Sequence, residues 1–139
     1  MNNRVSIYWD FENVRVPDQF ECLMDFAQLR GDVVTKNVYS HWWRETSESK
    51  DVLDRCGFER IDVWGEFKNS ADWELKSDCR AELDSSWSPD IIILVSGDGG
   101  FASLVRELQL HGKHVIVFGR QGVTSRKLRW LADEFHFAE

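Results

Sequence analysis

Ile91-Ile92-Ile93-Leu94-Val95-Ser96-Gly97-Asp98-Gly99-Gly100-Phe101 starts as a fully apolar run and breaks into a glycine-rich turn around one carboxylate. An apolar run without polar alternation belongs to a strand covered on both faces, as in a parallel sheet. Beyond the turn, Phe101, Leu104, Val105 and Leu108 recur at helical spacing until Gly112 ends the pattern. Strand, turn and helix therefore follow one another directly. The same grammar opens the chain, where Arg4 to Trp9 reads as a strand closed by Asp10-Phe11-Glu12-Asn13.

Working outward, strands and helices alternate. Phe20, Leu23, Met24 and Ala27 predict a helix from Asp18, its N-cap, to Arg30, with Gly31 just past its end. Val33 to Tyr39 is a second strand, Thr46 to Cys56 a polar helix, and Phe58 to Trp64 an alternating strand near an edge. Gly65 to Ala71 is expected as a loop and Asp72 to Asp84 as a helix with Leu75, Cys79 and Leu83 inward. Val115 to Phe118 is a strand, Thr124 to Asp133 a last helix, and Phe135 to Phe137 a short final strand. Such alternation predicts an α/β fold, a mainly parallel central sheet with helices on both faces. No repeat or linker interrupts it, so residues 1–139 are expected to form a single domain.

Hydrophobic content of 42% and charged content of 29% are those of a soluble globular protein. No apolar run approaches the length that spans a bilayer, and Asp10 and Glu12 interrupt any signal-peptide core, so a cytoplasmic protein away from membranes is expected. Cys22, Cys56 and Cys79 are odd in number and lack metal-ligand spacing, which predicts reduced, mostly buried thiols. A net charge of −7 argues against general affinity for nucleic acid, although Arg120, Arg126, Lys127 and Arg129 concentrate positive charge near the C-terminus.

In open α/β sheets ligands bind beyond the carboxyl ends of the strands. Asp10 and Asp98 both follow buried strands, while Asp72 and Asp78 lie at and inside a helix start. Carboxylates gathered there repel unless a cation holds them, and an oxygen-rich set suits Mg²⁺ or Mn²⁺ and phosphoryl chemistry. Each residue also has a plainer role. Asp10 can form a turn, and Asp98 or Asp72 can cap a helix. Six residues along a helix rotate the side chain by about 120°, so Asp72 and Asp78 share an ion only if Asp72 precedes the regular helix. Asn13 is placed to orient a phosphate or a metal-bound water, and Lys68 to guide a phosphate. Gly97, Gly99 and Gly100 leave the backbone bare for a phosphate, and Gly100 is expected to use its freedom at φ > 0. Trp9, Trp64 and Trp130 are expected to pack, whereas Trp42 and Trp43 beside Arg44 sit in a polar loop that suits base stacking or a protein interface. None of the four histidines shows ligand spacing.

Three segments carry a resemblance. They are Tyr8-Trp9-Asp10-Phe11-Glu12-Asn13-Val14, Lys68-Asn69-Ser70-Ala71-Asp72-Trp73-Glu74-Leu75-Lys76-Ser77-Asp78, and Val95-Ser96-Gly97-Asp98-Gly99-Gly100-Phe101. In this order they resemble the NYN domain, a branch of the PIN-like nuclease superfamily. The resemblance implies a Rossmann-like α/β/α sandwich and a Mg²⁺- or Mn²⁺-dependent ribonuclease site. It implies Asp10, Asp72, Asp78 and Asp98 as its acidic residues, with Asn13 alongside; Asn13, Lys68 and Ser96 are expected on the substrate side. The third motif of that family usually reads Ser-Gly-Asp-x-Asp-Phe, but Gly100 stands at its second Asp, and Asn69 replaces the Gly after the motif's Lys. One carboxylate fewer should weaken a second metal.

The leading expectation is a metal-dependent ribonuclease acting on single-stranded RNA, with Asp10, Asp72 and Asp98 as ligands. The competing expectation is a catalytically weak or inactive module that binds RNA or a protein partner, including a second copy of itself. A phosphatase using Asp10 as nucleophile ranks below both, because Glu12 stands where that chemistry needs a second Asp.

Overall fold

The computed structural model describes residues 2–15, 20–65 and 70–138. The expected Asp18 cap and Lys68 lie outside them. Six strands form one all-parallel sheet: β1 (Arg4–Asp10), β2 (Asp32–Ser40), β3 (Glu59–Asp62), β4 (Ile91–Val95), β5 (His114–Gly119) and β6 (Glu134–Phe137). Their order is β3-β2-β1-β4-β5-β6. The chain runs outward from β1 to one edge, then crosses back to β4 and runs to the other. The switch point, where an α/β sheet opens a crevice at its carboxyl end, therefore lies between β1 and β4.

Residue alternation in the two central strands divides the core. Val5, Ile7 and Trp9 of β1 and Ile91, Ile93 and Val95 of β4 face a layer built on α1 (Phe20–Arg30) and α2 (Ser47–Arg55). Tyr8, Ile92 and Leu94 face α3 (Ser70–Leu83), α4 (Ala102–Leu110) and α5 (Arg126–Leu131). All five residues of β4 are buried, as its unbroken apolar run requires. Thr46 caps α2 through a hydrogen bond from the Ser49 amide.

Several expectations need correction. Helix α3 begins at Ser70, so Asp72 lies inside its first turn rather than before it. Trp64 and Trp130 are 80% and 87% exposed. Alternation past β3 buries Val63 and turns Trp64 out. The short α5 buries Leu128, and Trp130, two residues on, faces the opposite side. Trp42 is buried and donates from its indole to the Ile61 carbonyl at 2.9 Å, so Trp43 alone of that pair meets solvent. Of the three thiols only Cys79 is buried. Gly100 has no positive φ; it belongs to a 3₁₀ turn, Gly99–Phe101, that leads into α4.

Candidate functional site

Asp10 is the last residue of β1. The parallel register pairs Trp9 with Val95, which sets Asp10 level with Ser96. The Ser96 hydroxyl donates to Asp10 Oδ2 at 3.2 Å and accepts from the Asp98 amide at 3.2 Å. One buried hydroxyl thus fixes two carboxylate-bearing residues that are far apart in sequence. Asn13 closes the other side: its Oδ1 accepts from the Gly97 amide at 2.7 Å. Asp98 Oδ1 accepts from the Gly100 amide at 2.9 Å, so Asp98 does cap the 3₁₀ turn, as its plainer role requires.

Asp72 reaches the same place from α3. A Cβ on Gly100 would lie 3.3 Å from Asp72 Oδ2 and 3.3 Å from Asp98 Oδ1. The Cβ position of Gly100 is therefore a tight spot touched by one oxygen of each carboxylate, which places Asp72 and Asp98 close together. Electrostatics show the same gathering. Burial pushes the Asp10 carboxyl up to about 7, helped by the negative charges of Asp72, Asp98 and Glu12 and opposed by the Ser96 hydrogen bond. Asp72 is also raised, by burial and then by Asp98, with Lys76 opposing. Among the described residues no ion pair involves any of these three aspartates. Nor do three His, Cys, Asp or Glu side chains there close into a set that encloses a metal ion.

Asp78 is engaged elsewhere. It accepts from the Tyr39 hydroxyl at 2.8 Å, and Asn37 Nδ2 donates to the same Tyr39 oxygen at 3.0 Å. Its position six residues after Asp72 on a regular helix turns it away from that neighbour.

Sequence reasoning missed a second charged centre at the same end of the sheet. Glu12 Oε1 accepts from the His41 amide at 3.0 Å and from His41 Nδ1 at 2.5 Å. His41 Nε2 lies 2.7 Å from the Gly65 carbonyl. Both ring nitrogens face acceptors, so the imidazolium is the form that satisfies both. Glu12, and then Gly65, raise the His41 pKa accordingly. Glu45 joins the network through Ser40 Oγ at 2.7 Å and Arg15 at 2.9 Å. The one local signal was that His41 directly follows β2; its pairing with Glu12 was not encoded in the spacing.

The NYN domain profile matches residues 4–139. The chain belongs to the NYN domain family. Relatives of this NYN domain include the meiosis regulator and mRNA stability factor 1 of Xenopus tropicalis, 24% identical over 142 residues. The Bos taurus protein of the same description is 25% identical over 146 residues. Each alignment covers 97% of this chain but 8% of the relative, so the NYN domain here corresponds to a small part of those proteins. A crystal structure of a Vibrio parahaemolyticus protein of unknown function has the same fold, with a TM-score of 0.84 and 24% identity. That match covers 99% of this chain and 94% of the other. Among the described residues no helix is long and apolar enough to cross a membrane.

Proposed function

We propose that this NYN domain is a divalent-metal-dependent ribonuclease whose centre is Asp10, Asp72 and Asp98. The observation that carries the reading is Asp10. It is a carboxyl only 5% exposed, placed beside two others, and among the described residues it has no ion-pair partner. Burying like charges together costs stability unless something outside the chain neutralises them. Asp72 Oδ2 and Asp98 Oδ1, which converge on Gly100, are oxygen donors of the kind that Mg²⁺ and Mn²⁺ take while keeping several waters. A bound ion supplies Lewis acidity toward a phosphoryl oxygen and a water acidified for attack.

The chain's own groups supply position. Ser96 orients Asp10 and Asp98 together. Asn13 uses its Oδ1 to pin the Gly97 turn, which leaves its Nδ2 group to face a phosphate. Asp78, held by Tyr39, takes an outlying place and acts through water. Lys68, which precedes Asp72 in the second motif, is proposed to meet the substrate phosphate. Single-stranded RNA is the expected substrate, in keeping with relatives described as mRNA stability factors.

A second reading, a binding module without turnover, is favoured by Gly100, which leaves the site one carboxylate short of the family pattern, and by the open ligand set. Incubation of single-stranded RNA with the protein and Mn²⁺ decides between them. Cleavage that chelator stops and Asp98→Asn abolishes supports the nuclease. RNA binding without cleavage by the wild type at any Mn²⁺ concentration overturns it.

A further inference from the structure

Away from the three aspartates, a cavity lies on α5. It measures about 540 Å³ and is lined by Arg126, Arg129, Trp130 and Phe135. Arg126, Arg129 and Trp130 stand at i, i+3 and i+4, so they share one side of the helix while Leu128 enters the core. Among the described residues neither Arg126 nor Arg129 has an ion-pair partner. The Arg129 guanidinium instead lies over the rings of Phe135 and Phe137, 5.0 and 5.2 Å from their centroids. Trp130 is 87% exposed, an unusual state for the largest apolar side chain. Positive charge is thus concentrated beside an open aromatic face in a chain whose net charge is −7.

This face is fastened to the acidic centre. The Ser125 amide donates to the Gly97 carbonyl at 2.9 Å, and Ser125 Oγ stands 3.0 Å from where a Cβ on Gly99 would be. Arg126 follows Ser125 directly. The start of α5 therefore adjoins the turn that carries Asp98, within reach of a strand bound there.

We propose that Arg126, Arg129 and Trp130 form a subsite for single-stranded RNA, gripping the nucleotides that flank the phosphate at the acidic centre. The inference rests on the nuclease reading for its geometry but has its own test. Arg126 meets a phosphate, Trp130 stacks on an unpaired base, and Arg129 holds the Phe135–Phe137 floor while adding charge. Charge complementarity selects a polyanion, and the exposed indole selects one with unstacked bases. A duplex, whose bases are already stacked, gains nothing from Trp130.

The test is fluorescence anisotropy of a short labelled oligoadenylate in EDTA, where no cleavage occurs. Trp130→Ala should weaken binding by about fivefold or more, and Trp130→Phe should restore most of the loss. On a strand carrying abasic sites the same substitution should have no effect. Arg126→Ala should reduce the slope of log affinity against log salt by roughly 0.7, the share of one phosphate on a single strand. Thermal unfolding checks that each variant is folded; both side chains are exposed, so native melting is expected. Wild-type affinity in both variants overturns the subsite, even if the protein cleaves RNA. Equal dependence on Trp130 for duplex RNA or heparin overturns it too. Loss of binding in these variants, in a protein that never cleaves, upholds the subsite and removes only the nuclease reading.

Discussion

Asp10 and Glu12 are two residues apart, leave the same strand and face opposite fates. Glu12 is buried enough to be raised, yet hydrogen bonds from the His41 amide and ring outweigh that and lower its pKa. Asp10 has one hydroxyl and three negative neighbours, and it rises to about 7. Around Glu12 every charge finds a partner within the chain: His41, Ser40, and Arg15 through Glu45. Around Asp10 the fold gathers negative charge and, among the described residues, gives these aspartates no ion-pair partner. Paired carboxylates hold a fold together, whereas unpaired ones strain it, and strain of this kind marks sites that wait for a ligand.

The comparison is broken most easily by activity. Asp10→Asn should lower metal-dependent RNA cleavage by about 100-fold or more, whereas Glu12→Gln should leave the rate within a few-fold. Equal losses in both would make the two carboxylates one functional unit. Stability should move the other way. A carboxyl whose folded pKa lies above its unfolded value favours the folded state while protonated, and stability is lost as pH rises from about 4 to about 7. Asp10→Asn should therefore stabilise the metal-free protein at pH 8 by ~2–4 kcal/mol, with the gain vanishing below pH ~4. Glu12→Gln should destabilise by ~1–2 kcal/mol, since a half-buried charge-assisted bond is lost. Denaturant unfolding across pH measures both; a destabilised Asp10→Asn would refute the idea of strain there.

His41 gives a smaller, pH-graded effect. Its folded pKa is raised, so its contribution is complete below the unfolded value near 6.5 and fades as pH rises through the folded one. His41→Gln should cost ~1–2 kcal/mol at pH 6 and less at pH 9. A cost that grows with pH would show that the ring acts neutral. Smallest of all is Gly100→Asp. The backbone there is not left-handed, and the new side chain would project between Asp72 and Asp98. Half-maximal activity should then need several-fold less Mn²⁺; an unchanged requirement in a folded variant would show that Gly100 is not a vacant ligand position.

Most of the fold could be read from residue pattern. The unbroken run at Ile91 to Val95 and the helix-spaced Leu104, Val105 and Leu108 each dictate one environment. The errors have a common physical origin. Trp64 and Trp130 are assigned inside by their size, but short or terminal segments bury one residue and turn the next outward. Asp72 is assigned before its helix because acidic caps are common, and two further helical residues from Ser70 could not be inferred from composition. The site was legible only in part for another reason. Asp10 and Asp98 announce themselves by following apolar strands, whereas the His41–Glu12 pair depends on two strand ends meeting in space, which no local spacing encodes.

The most direct measurement is isothermal titration of Mn²⁺ into the wild type, Asp98→Asn and Glu12→Gln at pH 7.5. The account predicts saturable binding in the wild type and in Glu12→Gln, and its loss in Asp98→Asn. No binding by the wild type, or equal binding by Asp98→Asn, would contradict the claim that the carboxylates gathered between β1 and β4 are a metal centre.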